Sequence, residues 1–192
     1  MGIMKSILMR AFGRPKGVLG KIGGTIMARV NQKIAHEAIE LLDVKPSDSV
    51  LEIGFGPGIG IQLLAAKVTL GRVAGVDYSV EMVKQAKVRN ASAIEAGKVE
   101  LHPGSVQSLA FDNDTFDKAL SINSMQTWPD ALAGLREIRR VIKPGGRVVL
   151  GFTRHSGQPK RGVTGLLAEA GFLYASLVDV DQDFCVYAIK PN

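Results

Sequence analysis

The chain has 192 residues, 46 % of them hydrophobic, and carries 24 lysines and arginines against 18 acids for a formal net charge of +6. That length accommodates one well-buried domain and is too short for two full ones, and no apolar run approaches the roughly 20 residues that a membrane span needs. A single cysteine, Cys185, excludes an internal disulfide and a cysteine-based zinc motif, so nothing asks for an oxidising compartment and a cytoplasmic protein without a metal is expected.

The charge is concentrated at the start of the chain. Residues 1–33 hold Lys5, Arg10, Arg14, Lys16, Lys21, Arg29 and Lys33 and no acid, which leaves 17 cations against 18 acids in the rest. Such an arm suits phosphates, anionic lipid heads or an anionic substrate by charge attraction, and it reads equally as a solvated leader into the fold. It lacks interleaved aromatic residues that stack on bases, which argues against nucleic acid. Residues 3–12 have the pattern of a short amphipathic helix, whereas Gly13, Pro15, Gly17, Gly20, Gly23 and Gly24 make a flexible stretch with the character of a lid. The chain thus divides into a basic, glycine-rich arm or lid over 1–33 and a domain over 34–192.

From about residue 25 to 42, Ile26, Val30, Ile34, Ala38, Leu41 and Leu42 recur at helical spacing. Strand and helix then alternate, which marks a parallel sheet with helices on both faces. Strands are predicted over 49–53, 72–76, 98–102, 117–122 and 146–153, with helices over 58–67, 79–93, 130–141 and 161–170. The tail departs from this rhythm: residues 174–180 and 184–190 read as a hairpin around Asp181-Gln182-Asp183.

The strongest signal is Val50-Leu51-Glu52-Ile53-Gly54-Phe55-Gly56-Pro57-Gly58, an apolar strand running into closely spaced glycines, with Asp77 closing the next apolar run. Glycines at a strand end let backbone approach a ligand without Cβ interference, and an acid at the next strand end can accept both ribose hydroxyls. Asp77 has a second reading as a helix cap before Val80, although Ser79 is better placed for it. The spacing is G-x-G-x-G, not the G-x-G-x-x-G of a dinucleotide site, and Glu52 stands two residues ahead of it. A carboxylate there repels a pyrophosphate but can face the ammonium of an amino-acid-bearing nucleoside, so the pattern favours S-adenosylmethionine over NAD.

These residues resemble the class I S-adenosylmethionine-dependent methyltransferases, in particular the UbiE-like small-molecule branch (methyltransferase type 11). Further stations match in order: Gly75-Val76-Asp77-Tyr78-Ser79, then Phe116-Asp117-Lys118-Ala119-Leu120-Ser121-Ile122-Asn123, then the helix and turn from Leu135 to Arg147. The resemblance covers roughly residues 34–192. It implies a Rossmann-like α/β fold with a seven-stranded, mostly parallel sheet, the last strand inserted antiparallel beside the fifth and helices on both faces. It also implies that Glu52 and the loop through Gly54, Phe55, Gly56 and Gly58 hold the methionine part of the cofactor. Asp77 would take the ribose, Tyr78 and Met82 would flank the adenine, and Ser105, Val106 and Ser121 would complete the pocket. Many relatives carry an acid after the third strand to accept the adenine amine. Here Gly104-Ser105-Val106 stands in its place, which predicts somewhat looser adenine binding or compensation by backbone groups. Asn123, Gln126 and Trp128 fall where relatives line the methyl-transfer chamber, and no Asp/Asn-Pro-Pro-aromatic signature of nucleic-acid amine methylation is present.

A cationic loop, Thr153 to Arg161, follows the fifth strand. It is suited to an anionic substrate, with His155 as a proton acceptor near neutral pH, or to plain solvation. The expected function is methyl transfer from S-adenosylmethionine to a small-molecule or lipid-like acceptor by in-line displacement in a closed pocket. Two alternatives stay open: a membrane-associated quinone or phospholipid methyltransferase that uses the arm, and a cofactor-binding protein without turnover.

Overall fold

The computed structural model describes residues 32–192; the expected arm helix, the glycine-rich stretch and the start of the helix over 25–42 lie outside them. Residues 32–42 (α1) are helical, as far as they are described, and bury Ile34, Ala35, Ala38, Ile39 and Leu42 at the spacing the sequence predicts. Next come β1 (Ser49–Ile53), α2 (Ile59–Lys67), β2 (Arg72–Asp77), α3 (Val80–Arg89), α4 (Ala91–Glu95), β3 (Val99–Pro103) and β4 (Phe116–Ile122). A single 3-10 turn (Met125–Thr127) then leads into α5 (Ala131–Val141), β5 (Ile142–Phe152), α6 (Val163–Glu169), β6 (Leu173–Val180) and β7 (Asp183–Ile189).

The seven strands form one sheet in the order β3-β2-β1-β4-β5-β7-β6. All pairs are parallel except those of β7, which runs antiparallel between β5 and β6. The expected sheet, including its reversed last strand, is therefore present. Alternation along the buried strands divides the core. Val50, Leu120 and Val149 meet α1, α2 and α3, whereas Leu51, Ile53, Ala119 and Leu150 meet α5 and α6. Glu52 shares the face of Val50, so its carboxylate enters the layer between the sheet and α2.

Two elements differ from expectation. The helix predicted over 79–93 breaks at Asn90, whose side chain leaves the helical pattern to bond backbone carbonyls at Gly58 and Ala86. The fifth strand begins at Ile142 instead of 146. Phe116 pairs with Ile142 and Lys118 with Arg147, so residues 143–146 bulge past a single residue of β4, aided by a left-handed Gly145 (φ 73°).

Candidate functional site

The winding direction reverses between β1 and β4, and in open α/β sheets a ligand cleft forms beyond the strand ends at such a point. The glycine loop lies there. Gly54, Gly56 and Gly58 have φ of 69°, 53° and 85°, left-handed values that glycine adopts without strain. The first and last also have no room for a side chain. A Cβ on Gly54 would lie 1.9 Å from Ser124 Oγ, and one on Gly58 would lie 2.7 Å from both Ala86 Cβ and Asn90 Nδ2. A Cβ on Gly56 would meet nothing within 4 Å, so this glycine presents bare backbone to open space.

Hydrogen bonds hold the loop from two sides, the end of β2 and the end of α3. Gly54 N–H donates to the Val76 carbonyl (2.7 Å) and Gly56 N–H to Asp77 Oδ2 (2.8 Å). From the end of α3, Arg89 Nε donates to the Pro57 carbonyl (2.9 Å) and Asn90 Nδ2 to the Gly58 carbonyl (3.1 Å). The Phe55 ring packs inward against Gly75, where a Cβ would come within 2.6 Å of it. Arg89, Asn90 and Ser124 carry no motif that singles them out in the sequence. The one local signal for Asn90 is a poor helix former near the end of an otherwise helical run.

Two buried carboxylates flank this loop. Glu52 is 2 % exposed; its Oε2 has no hydrogen-bond partner, and Gly60 makes room for it, since a Cβ there would stand 2.2 Å from Oε1. Burial, and then the nearby charge of Asp77, push the Glu52 carboxyl well above its ordinary range. Asp77 is also raised by burial, although N–H bonds from Ser79 and Gly56 oppose the shift. Asp77 Oδ1 accepts Ser79 N–H (2.8 Å), while Ser79 Oγ accepts Met82 N–H and caps α3. The capping role thus belongs to Ser79, and Asp77 faces the cavity.

A cavity of about 150 Å³ is lined by Gly54, Gly56, Asp77, Tyr78, Met82, Ser105, Val106, Asn123 and Trp128 of the expected residues, joined by Ser124 and Thr127. A smaller one of about 40 Å³ adjoins Glu52 and shares Gly54, Gly56 and Asn123 with the first; Phe55 lines it too. Asn123 thus lines both cavities. It adopts a left-handed φ of 48°, its Oδ1 accepts Thr153 N–H (2.8 Å), and its carbonyl accepts Gln126 Nε2 (2.7 Å). Trp128 Nε1 donates to Ser124 Oγ (2.9 Å), which fixes the indole against the wall.

Four expected residues lie elsewhere. Gly58 supports the loop from behind, and Gln126 props the Asn123 carbonyl without lining either cavity. Ser121 is buried between Ile53 and Leu150 on the sheet face opposite Glu52, its hydroxyl without a partner. His155 is exposed on the loop after β5, where Nε2 accepts from Arg154 Nε (3.0 Å). Among the described residues no His, Cys, Asp and Glu side chains group as a metal site, and no helix is long and apolar enough to cross a membrane.

Comparison with known proteins points the same way. A family model described as a methyltransferase domain matches residues 51–150. The uncharacterized methyltransferase YdaC of Bacillus subtilis is 31 % identical over 174 residues, covering 89 % of this chain and 93 % of its own. The ubiquinone/menaquinone biosynthesis C-methyltransferase UbiE of Geotalea daltonii is 29 % identical over 114 residues, 59 % of this chain and 48 % of its own. A crystal structure of a SAM dependent methyltransferase from Aquifex aeolicus shares the fold, with a TM-score of 0.73 at 22 % identity over 81 % of this chain and 88 % of that one.

Proposed function

The chain belongs to the methyltransferase domain family and depends on S-adenosylmethionine, and from that premise we propose that it methylates a small-molecule or lipid-like acceptor by in-line displacement in a closed pocket. The residues fit the cofactor. The observation that carries the reading is the Glu52 carboxylate, buried with one oxygen unpartnered beside a glycine loop that offers bare backbone at Gly56. A buried acid without a cation is costly, and a ligand ammonium relieves that cost.

When bound, the cofactor supplies an electrophilic methyl group on a sulfonium. The chain supplies position: Glu52 takes the ammonium, Gly54 to Gly58 shape the methionine cradle, and Asp77 receives the ribose hydroxyls. Tyr78, Met82 and Val106 offer apolar and π surface to the base. Asn123 and Trp128 form the wall from which an acceptor approaches, with Gln126 holding the turn that carries them. Most of the catalysis of such a displacement can come from orientation and exclusion of water, and a dedicated base is often unnecessary. His155 is exposed and lines neither cavity, so no step of this reading uses it.

Transfer of labelled methyl from S-adenosylmethionine to a panel of phenolic, quinol and amine acceptors tests this. Binding of NAD in place of S-adenosylhomocysteine would overturn it. A second reading places the acceptor in a membrane, with the arm over 1–33 docking on anionic lipid. The seven cations of that segment favour it, as does the quinone pathway named for the Geotalea daltonii relative. Sedimentation with anionic vesicles, with and without residues 1–24, distinguishes the two: a salt-sensitive loss on truncation supports the membrane version. Absence of transfer to any acceptor despite tight cofactor binding would point instead to a binding protein without turnover.

A further inference from the structure

The strand order sets out the binding edge. Gly54 follows β1, Asp77 ends β2 and Gly104 to Val106 follow β3, in the spatial order β1, β2, β3. A nucleoside with its amino-acid end at Gly54 and its ribose at Asp77 therefore has its base at Gly104 to Val106. Gly104 N–H donates to the Asp77 carbonyl (3.0 Å), which ties these two stations together.

The groups that can read the base edge are few. Of the described residues lining this cavity, Asp77 is the one carboxylate, and its oxygens already accept N–H groups from Gly56 and Ser79. On the facing wall the Thr127 hydroxyl donates to the Ser124 carbonyl (2.7 Å) and the Trp128 indole to Ser124 Oγ. The side chain left at the base station is half-buried Ser105, whose oxygen accepts Gln107 N–H (3.2 Å). A hydroxyl rotates to donate or to accept. Adenine offers an amino donor at C6; hypoxanthine offers a carbonyl acceptor there. At C6 a carboxylate accepts from the first and repels the second, but a hydroxyl serves both; the neighbouring N1, an acceptor in adenine and an N–H donor in hypoxanthine, is likewise met by a hydroxyl in either sense.

We propose that Ser105 makes the base station indifferent to the C6 substituent, so that the protein binds 6-oxopurine as well as 6-aminopurine forms of its cofactor. The inference rests on the reading of this cavity as the S-adenosylmethionine site. Trp128 is the one tryptophan of the chain and lines the cavity, so its emission reports filling, with calorimetry as an independent readout. The full chain is titrated with S-adenosylhomocysteine and with S-inosylhomocysteine. Dissociation constants within about tenfold of each other are expected for the wild type, and Ser105→Asp is expected to widen the adenosyl preference by about tenfold or more. If neither compound binds, the cofactor reading itself fails. If S-adenosylhomocysteine binds and the inosyl compound is more than about tenfold weaker, backbone N–H groups read the base and the proposal is overturned. An unchanged ratio in a folded Ser105→Asp variant overturns it as well.

Discussion

Replacing Glu52 with glutamine moves cofactor affinity and ligand-free stability in opposite directions. The carboxylate is 2 % exposed with one oxygen unpartnered, and its raised pKa comes from burial and from Asp77, with no cation among the causes. In the ligand-free protein it therefore holds its proton to higher pH than an exposed glutamate does. An ammonium arriving beside it favours the ionised form and expels that proton. Binding of S-adenosylhomocysteine should accordingly release up to about one proton and tighten by about tenfold per pH unit until the raised pKa is passed, then level off. Glu52→Gln removes a charge-assisted hydrogen bond of about 1.5–3 kcal/mol, a loss of about 10- to 150-fold in Kd, and abolishes the proton release.

The sign for stability is reversed. An acid whose folded pKa lies above its unfolded value ionises first in the unfolded chain. Stability is full below the ordinary values of 4.5 for Glu52 and 3.8 for Asp77, and falls as pH rises from there toward the raised ones. A neutral amide avoids the Glu52 share of that fall, so Glu52→Gln should melt above the wild type without ligand, by a margin that grows with pH above 4.5. Calorimetric titration in two buffers of different ionisation enthalpy, with melting curves of both proteins across pH, measures both effects. Binding enthalpy independent of buffer, together with a lower melting point for Glu52→Gln, would mean that the carboxylate has a partner in the free protein and would refute the reasoning.

The other predictions concern the frame around that carboxylate. Asp77→Ala should weaken S-adenosylhomocysteine by about 1–3 kcal/mol in calorimetry while the protein stays folded, since it removes the ribose acceptor and leaves the Gly56 and Ser79 N–H groups facing the cavity. Gly54→Ala sets a methyl against Ser124 at a left-handed φ and should cost about 2 kcal/mol or more of folding stability. Gly56→Ala has free space and should cost about 1 kcal/mol of stability yet weaken the ligand, because its methyl enters the cleft; urea unfolding and titration distinguish the pair. Asn90→Ala frees the Gly58 and Ala86 carbonyls, and a loss of about 1–3 kcal/mol in stability with weaker cofactor binding is expected from the same two measurements. Cys185 is buried and its thiol is pushed up to about 12, so a thiol reagent should leave it unmodified until the chain unfolds.

What is legible in the sequence is what short stretches determine. An apolar run into G-x-G-x-G fixes a strand, a left-handed turn and a ligand edge within ten residues, and Asp77 is found because the next strand repeats the pattern. The alternation of Val50 with Leu51, or Leu120 with Ala119, sorts residues between the two sheet faces by period alone. The placement of Ser121 and His155 is not legible in this way. Period two gives Ser121 the face of Ala119, away from Glu52, but its burial between Ile53 and Leu150 follows from the register of strands distant in the chain. His155 sits on a loop whose direction depends on the bonds that Asp183 and Gln182 make to Arg154.

The residues that sequence reasoning misses have one property in common: each acts on the glycine loop across a long separation in the chain. Ser124 fills the space that Gly54 leaves, and Asn90 fills the space that Gly58 leaves, 70 and 32 residues away respectively. In both cases the glycine is needed for its missing side chain as much as for its φ, and the side chain that takes the space is then held by a hydrogen bond of its own, from Trp128 to Ser124 and from Asn90 to the loop carbonyl. The loop is thus shaped from outside. Its sequence says that backbone is to be exposed, and only the packed neighbours say which of its three glycines is. Gly54 and Gly58 have no room for a side chain, whereas the side-chain position of Gly56 opens onto free space, between the acid of β1 and the acid of β2.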